Sequence, residues 1–450
     1  MSVVAGIGSK MPTGHGVLLC QFRNFHFRVE MSAWFSRRVR AMKRVSIASI
    51  VVLAIASNPV SAQSNERSSA EIFARPVAIE RQALVTHLPI TLRNGKLHIA
   101  AIVDGQTSEF LFDTGSPTVL AKQFADTLGL KVIGQNVGVD SHGNQVTMKI
   151  AIVDRLSLGD FTFRQVPVLI HDFSGTDMGQ CLIGNGLIGS EIFPASVWRI
   201  DTQAKKLSIA ANTGELPSPR GKSLHTKLYD VGYPHAPIID YSVGDLADKA
   251  MFDTGNNANI SFFHKIVDTP TFKRAVVPGT VAHGEGYEGE SAGGLSKIGP
   301  LTHFEVSGVS FSSDKLDATE SIVRAMPPTL FGAGLLQTYI VTLDYPGGRM
   351  LLEKRSEADA IQPDPGYGIS IVDGRAVISR LFAKSAAESA GLKLGDHVIE
   401  AQGHSLTQLD GLAYCETVKW LVQEFKSREA AELVIQRKDG THRFSIPAID

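Results

Sequence analysis

Cysteine is scarce in this chain, with three in 450 residues, at positions 20, 181 and 415. So few cysteines exclude a disulfide-stapled scaffold, and Cys181 and Cys415, which fall in different segments, are expected to be two free, buried thiols. A dominant charge is also missing. Lys plus Arg number 44 against 45 Asp plus Glu, so nucleic acid and anionic membrane are not expected as main partners. The 14 histidines form no H-E-x-x-H or other ligand spacing, so neither a metal site nor a cofactor is expected. Disorder is not the default reading either, because 43% hydrophobic and 20% charged residues are ordinary globular proportions.

No run of apolar residues is long enough to span a bilayer and stay there. The run from Val45 to Ala56 instead belongs to the stretch Met42 to Ser64, with a basic start and small residues at Val60 and Ala62. That is a secretory signal pattern. Residues 1–62 are therefore read as an upstream extension plus signal peptide, with Met31 and Met42 as alternative starts. No cysteine follows the run, so a lipoprotein is not expected. Export to a periplasmic or secreted location is, with no stable membrane span in the mature protein. Without residues 1–62 there remain 36 basic and 44 acidic residues, a balance of −8.

What remains is long enough for roughly three units of about 150 residues. From about residue 83 the text reads as short alternating strands separated by Asn-Gly, Asp-Gly and Gly-Asp turns, which predicts antiparallel β structure. After GELPSPRGKS the pattern starts again. Asp113 precedes Gly189 by 76 residues and Asp253 precedes Gly332 by 79, and each glycine stands 12 residues before an aspartate, Asp201 or Asp344. Four landmarks in register predict a duplicated lobe, with lobe one at 83–212 and lobe two at 222–355. Residues 362–450 read differently, as a compact α+β module with a helix near 410–426.

The duplicated stretches are FLFDTGSPTVL (110–120) and AMFDTGNNANI (250–260). Two aspartates held close cannot both ionise, so they share a proton. One can then deprotonate water while the other, protonated, polarises a peptide carbonyl. Asp113 and Asp253 are the expected catalytic pair. Thr114 and Thr254 are expected to bond across to the opposite loop. Gly115 and Gly255 should let the backbone approach and donate N–H groups to the acids, and Ser116 and Asn256 should donate to the outer carboxylate oxygens.

With LIG at 187–189 and LFG at 330–332, these DTGS and DTGN loops resemble the aspartic proteases of the pepsin and retropepsin kind. The resemblance covers roughly residues 83–355. It implies a mainly β, two-lobed acid-protease-like pair of barrels, with Gly189 and Gly332 in the floor of the site and peptide or protein substrates. Two departures stand out. Asn256 replaces the usual serine or threonine, and the flap stretch VGVDSHGNQVTMKI has His142 and no tyrosine.

The stretch HGEGYEGESAGGLSK (283–297) contains literal matches to G-x-G-x-x-G and, around Ser291, to the G-x-S-x-G elbow of serine esterases. Both need an apolar strand before and a helix after. Neither context is present, so a mobile loop over the cleft is expected, with Tyr287 near substrate.

GYGI (366–369) with SAGLKLGDHVIEAQGHSL (389–406) resembles a PDZ domain of exported bacterial proteases. That resemblance implies a peptide, often the carboxy-terminal end of a protein, added as a strand beside Ile369 to Ile371. The amides of Tyr367, Gly368 and Ile369 would hold its carboxylate. The expected protein is an exported aspartic endopeptidase with a PDZ domain. Its alternative is a catalytically inactive, peptidase-shaped peptide-binding scaffold.

Overall fold

The computed structural model of the protein describes residues 3–4 and most of 69–448. The undescribed positions inside that span are 94, 141–144, 176–178, 220–222, 244, 277–281, 289–290, 299–303, 307–308, 311–317, 322–328, 356–364, 373, 408, 410, 426 and 428. The expected signal segment, about 42–62, lies outside the described residues. The fold is mainly β, and among described residues no helix is long and apolar enough to cross a membrane.

The first repeat opens with a hairpin, Lys96–Val103 against Gln106–Phe112, turned at Asp104-Gly105. Both turn residues have positive φ, 45° and 86°. That is the mirror-image turn whose twist suits a two-residue hairpin, and Asp-Gly is the dipeptide that tolerates it. Gly134–Asp140 and Gln145–Leu158 form a second hairpin. Its tip at 141–144, with His142, lies outside the described residues.

In the second repeat Ile238–Val243 pairs with Leu246–Asp253. The glycine-rich stretch expected to be a mobile loop is a hairpin instead, Ala282–Glu288 against Ser291–Ile298. Among the described residues the next element is the strand Phe304–Val306 and not a helix, so neither literal motif gains the context its chemistry needs.

A single sheet joins the repeats. Val197–Asp201 pairs antiparallel with Tyr339–Asp344, placing the two aspartate-ended strands side by side. Lys206–Ala210 and Val85–Pro89 extend the sheet on one side, and Arg349–Lys354 and Ser223–Tyr229 on the other. Ion pairs cross it, Arg199 to Glu353 at 2.7 Å and Arg355 to Asp201 at 2.8 Å. The apolar core is continuous across both repeats, from Leu97 and Phe112 through Trp198 and Val341 to Phe252 and Phe331.

The C-terminal module has its own core, including Tyr367, Ile371, Ile378, Val398, Val418 and Ile435. Gly391, with φ of 97°, closes the short helix Ala386–Ser389. The longer helix spans Gly411–Gln423. The expectation of two free thiols is overturned, because Cys181 in Gly179–Leu182 is disulfide-bonded to Cys415 in that helix. Sequence separation misled here. The partners lie 234 residues apart, yet folding places their Cα atoms 5.1 Å apart, within reach of a disulfide.

Candidate active site

Each aspartate ends a strand that a second strand clamps. Gly186–Ile188 runs parallel to Gln106–Phe112, pairing Leu187 with Leu111 and Ile188 with Phe112, and the amide of Asp113 donates to Ile188 at 3.0 Å. Thr329–Gly332 does the same for the second repeat, pairing Phe331 with Phe252 and Gly332 with Asp253. Phe112, Phe252 and Phe331 are fully buried, which anchors the strands and leaves the aspartates on short loops.

Gly189 and Gly332 lie against those loops. A Cβ at Gly189 would stand 2.2 Å from Ser116 O, and one at Gly332 2.2 Å from Ala258 O. Only hydrogen fits at these distances. Ser190 N donates to Ser116 O and Ala333 N to Asn256 O, so each glycine segment is stitched to its aspartate loop.

The two loops meet. A Cβ at Gly115 would stand 2.5 Å from Cγ of Asp253. Thr114 Oγ1 donates to Phe252 O at 2.7 Å and accepts from Thr254 N at 3.0 Å. Thr254 Oγ1 in turn donates to Phe112 O at 2.7 Å and accepts from Thr114 N at 3.1 Å. Four hydrogen bonds between fully buried groups fix the spacing of the aspartates. Lys96 adds another tie between the repeats, donating from Nζ to Gly255 O.

Asp113 and Asp253 are both fully buried. Gly115 N donates to Oδ1 of Asp113 at 2.9 Å and Gly255 N to Oδ1 of Asp253 at 2.8 Å. Among the described residues Oδ2 of Asp113 meets no N–H or hydroxyl donor, and the carboxyl of Asp253 lies beside it. Burial, then the neighbouring Asp253, push the Asp113 carboxyl up to about 8. The charged form loses its hydration and faces a like charge, so the pair keeps a proton where an isolated aspartate has none.

Ser116 and Asn256 are not placed as the sequence suggested. Ser116 Oγ donates to Pro117 O at 2.8 Å. Asn256 accepts from Ala258 N at 2.9 Å and donates to Ser261 Oγ at 3.1 Å. Both side chains are spent on closing their own loops, as short polar side chains in turns commonly are.

Glu191 escaped the sequence reading. Fully buried two residues after Gly189, it accepts from Thr118 N at 2.7 Å and from the Thr118 hydroxyl, which itself accepts from Gly189 N at 2.9 Å. Burial pushes the Glu191 carboxyl up to about 7 against the pull of those bonds. The available signal was a lone acid inside the apolar run LIGSEIF. Lys96 offered none, being an ordinary turn lysine whose partner is 159 residues away.

In the C-terminal module Tyr367 and Ile371 are buried in the core, while Gly368 and Ile369 are half-buried. Among described strands, Tyr367–Val372 pairs with Arg375–Phe382 only. Tyr287 belongs to the hairpin strand Ala282–Glu288.

Residues 99–191 match the aspartyl protease family model, a span holding Asp113, Gly189 and Glu191. No curated protein matches the sequence. Among solved structures it is similar to the aspartic proteinase from Irpex lacteus at 13% identity. The match covers 61% of this protein and 99% of that one, with a TM-score of 0.39.

Proposed function

We propose that this protein is an exported aspartic endopeptidase whose Asp113 and Asp253 act as one acid–base pair, with a C-terminal PDZ domain that binds peptide or protein termini. The observation that carries the reading is the reciprocal Thr114–Thr254 lock around two fully buried aspartates. A duplicated turn has no need to bury two acids against each other, whereas water-driven hydrolysis needs that arrangement.

In the proposed step the pair holds one proton. The ionised member takes a proton from water as its oxygen attacks the peptide carbonyl carbon, and the protonated member donates to the carbonyl oxygen. Collapse of the tetrahedral diol breaks the C–N bond, and a proton passes from the pair to the leaving nitrogen. No bond forms between enzyme and substrate. Gly115 N and Gly255 N hold the inner oxygens, and in the proposed step water and carbonyl are bound by the outer ones.

A second reading is a peptide-holding protein without hydrolysis. It draws on Ser116 and Asn256, whose contacts turn away from the carboxylates. Incubation with an unfolded protein in ¹⁸O-labelled water separates the two. The enzyme gives fragments with ¹⁸O in the new carboxyl, and the holder gives none. The disulfide agrees with export, because such bonds persist in oxidising compartments.

A further inference from the structure

The C-terminal module is held to the repeats at two places. Strand Arg375–Phe382 pairs antiparallel with the hairpin strand Ala282–Glu288, joining Phe382 to Gly284 and Arg380 to Gly286, and Ala383 N donates to His283 O at 2.7 Å. Elsewhere the disulfide ties Cys181 of the first repeat to Cys415 in helix Gly411–Gln423. Cys181 and Leu182 pack against the module's core, as do Ile369 and Cys415. Helix Gly411–Gln423 also touches strand Tyr367–Val372. A segment of the first repeat is therefore seated on helix Gly411–Gln423, which together with strand Tyr367–Val372 would border the proposed groove for a terminal peptide.

The bond joins bodies with separate apolar cores, and the strand pairing is a second tether. Breaking the bond would thus change how the module docks rather than whether either body folds. Both cysteines are half-buried, so neither is sealed within the core.

We propose that Cys181–Cys415 is a redox latch which, when oxidised, keeps Gly179–Leu182 against the module and its peptide groove closed. This rests on the reading of the module as a peptide binder. A dithiol reductant opens the latch. One thiolate attacks a sulfur of the pair, giving a mixed disulfide and freeing the other cysteine, and the second thiolate then displaces the first. Two electrons pass, the reductant ends as a disulfide, and Cys181 and Cys415 end as thiols. The freed segment stays tethered nearby but no longer covalently held, so the open form gains population.

The test uses the full-length protein, oxidised, reduced with dithiothreitol, and as the Cys181→Ser/Cys415→Ser double variant. Hydrogen exchange is followed at 367–372 and 411–423, with the strands 106–112 and 246–253 as internal controls. Binding is read with a library of ten-residue peptides bearing free C-termini. Reduction and the double variant should each raise exchange at the module segments, leave the control strands protected, and tighten peptide binding about 10-fold or more. Equal exchange and equal binding in all three forms would overturn the latch. Binding that is strong but indifferent to reduction would also overturn it, while leaving the peptide-binding reading intact. Increased exchange with no peptide bound in any form would support the latch and refute the peptide-binding reading.

Discussion

Thr114 and Thr254 hold each other's loops, each hydroxyl donating to a carbonyl in the opposite repeat and accepting the other threonine's amide. Thr114→Val keeps the shape but orphans Thr254 N and Phe252 O, two buried groups costing about 1–3 kcal/mol each when unpaired. Denaturant unfolding should show a loss of at least about 2 kcal/mol. Thr114→Ser, which restores the hydroxyl, should recover most of it. A Val variant as stable as wild type would mean the lock contributes nothing.

Gly115 is where the loops come closest, and its substitution tests their convergence. A methyl group 2.5 Å from Cγ of Asp253 must displace that carboxyl. Gly115→Ala is expected to cost about 1–3 kcal/mol as overpacking. It should also cut kcat about 100-fold by misplacing a reacting group. Unchanged kinetics would show that the two loops do not face one another in solution.

The pH behaviour follows from burial. Folded Asp113 keeps its proton to about 8, while the unfolded state releases it near 3.8. Between those values the unfolded state has lost a proton that the folded state retains, so stability falls as pH rises from about 4 to about 8. Glu191 adds a fall of the same sign between about 4.5 and about 7. Unfolding followed across pH should show both, and Asp113→Asn should abolish the part that extends to about 8. Cleavage should fade as pH climbs through about 8, where the pair loses its proton. A variant with the wild-type pH slope would assign that titration elsewhere.

Gly284 governs the joint between hairpin and module. A Cβ there would meet Leu381 O at 2.4 Å, so only glycine admits the neighbouring strand. Gly284→Val should raise amide exchange at 284–286 and 380–382 while leaving the core strand 431–437 protected. Wild-type exchange at both edges would show that the strands do not pair.

How much of this was written in the sequence depends on range. Asp104-Gly105 announced its hairpin because a two-residue turn is decided by the φ preferences of those residues alone. The DTG loops, their glycine partners and the crossing of Thr114 and Thr254 to the opposite loop were legible because duplication prints the same short-range pattern twice, although the particular acceptors, Phe252 O and Phe112 O, were not. The Cys181–Cys415 bond, Lys96 with Gly255 and the pairing of Gly284 with Phe382 were not legible. Each joins segments about 100 residues or more apart, and local preference is silent about such contacts. The 283–297 stretch was misread for a related reason. Glycine reads locally as loop, but here it makes room for a neighbouring backbone.

The most direct measurement is cleavage of an unfolded protein by the wild type, by Asp113→Asn and by Asp253→Asn, from pH 3 to pH 9. Wild type should cut in acid and up to about neutral pH. Each substitution should remove at least about 100-fold of the rate, the scale of a lost general acid or base. A substitution that leaves cutting intact would contradict a shared-proton pair, and an inert wild type would leave a peptide holder with the shape of a hydrolase.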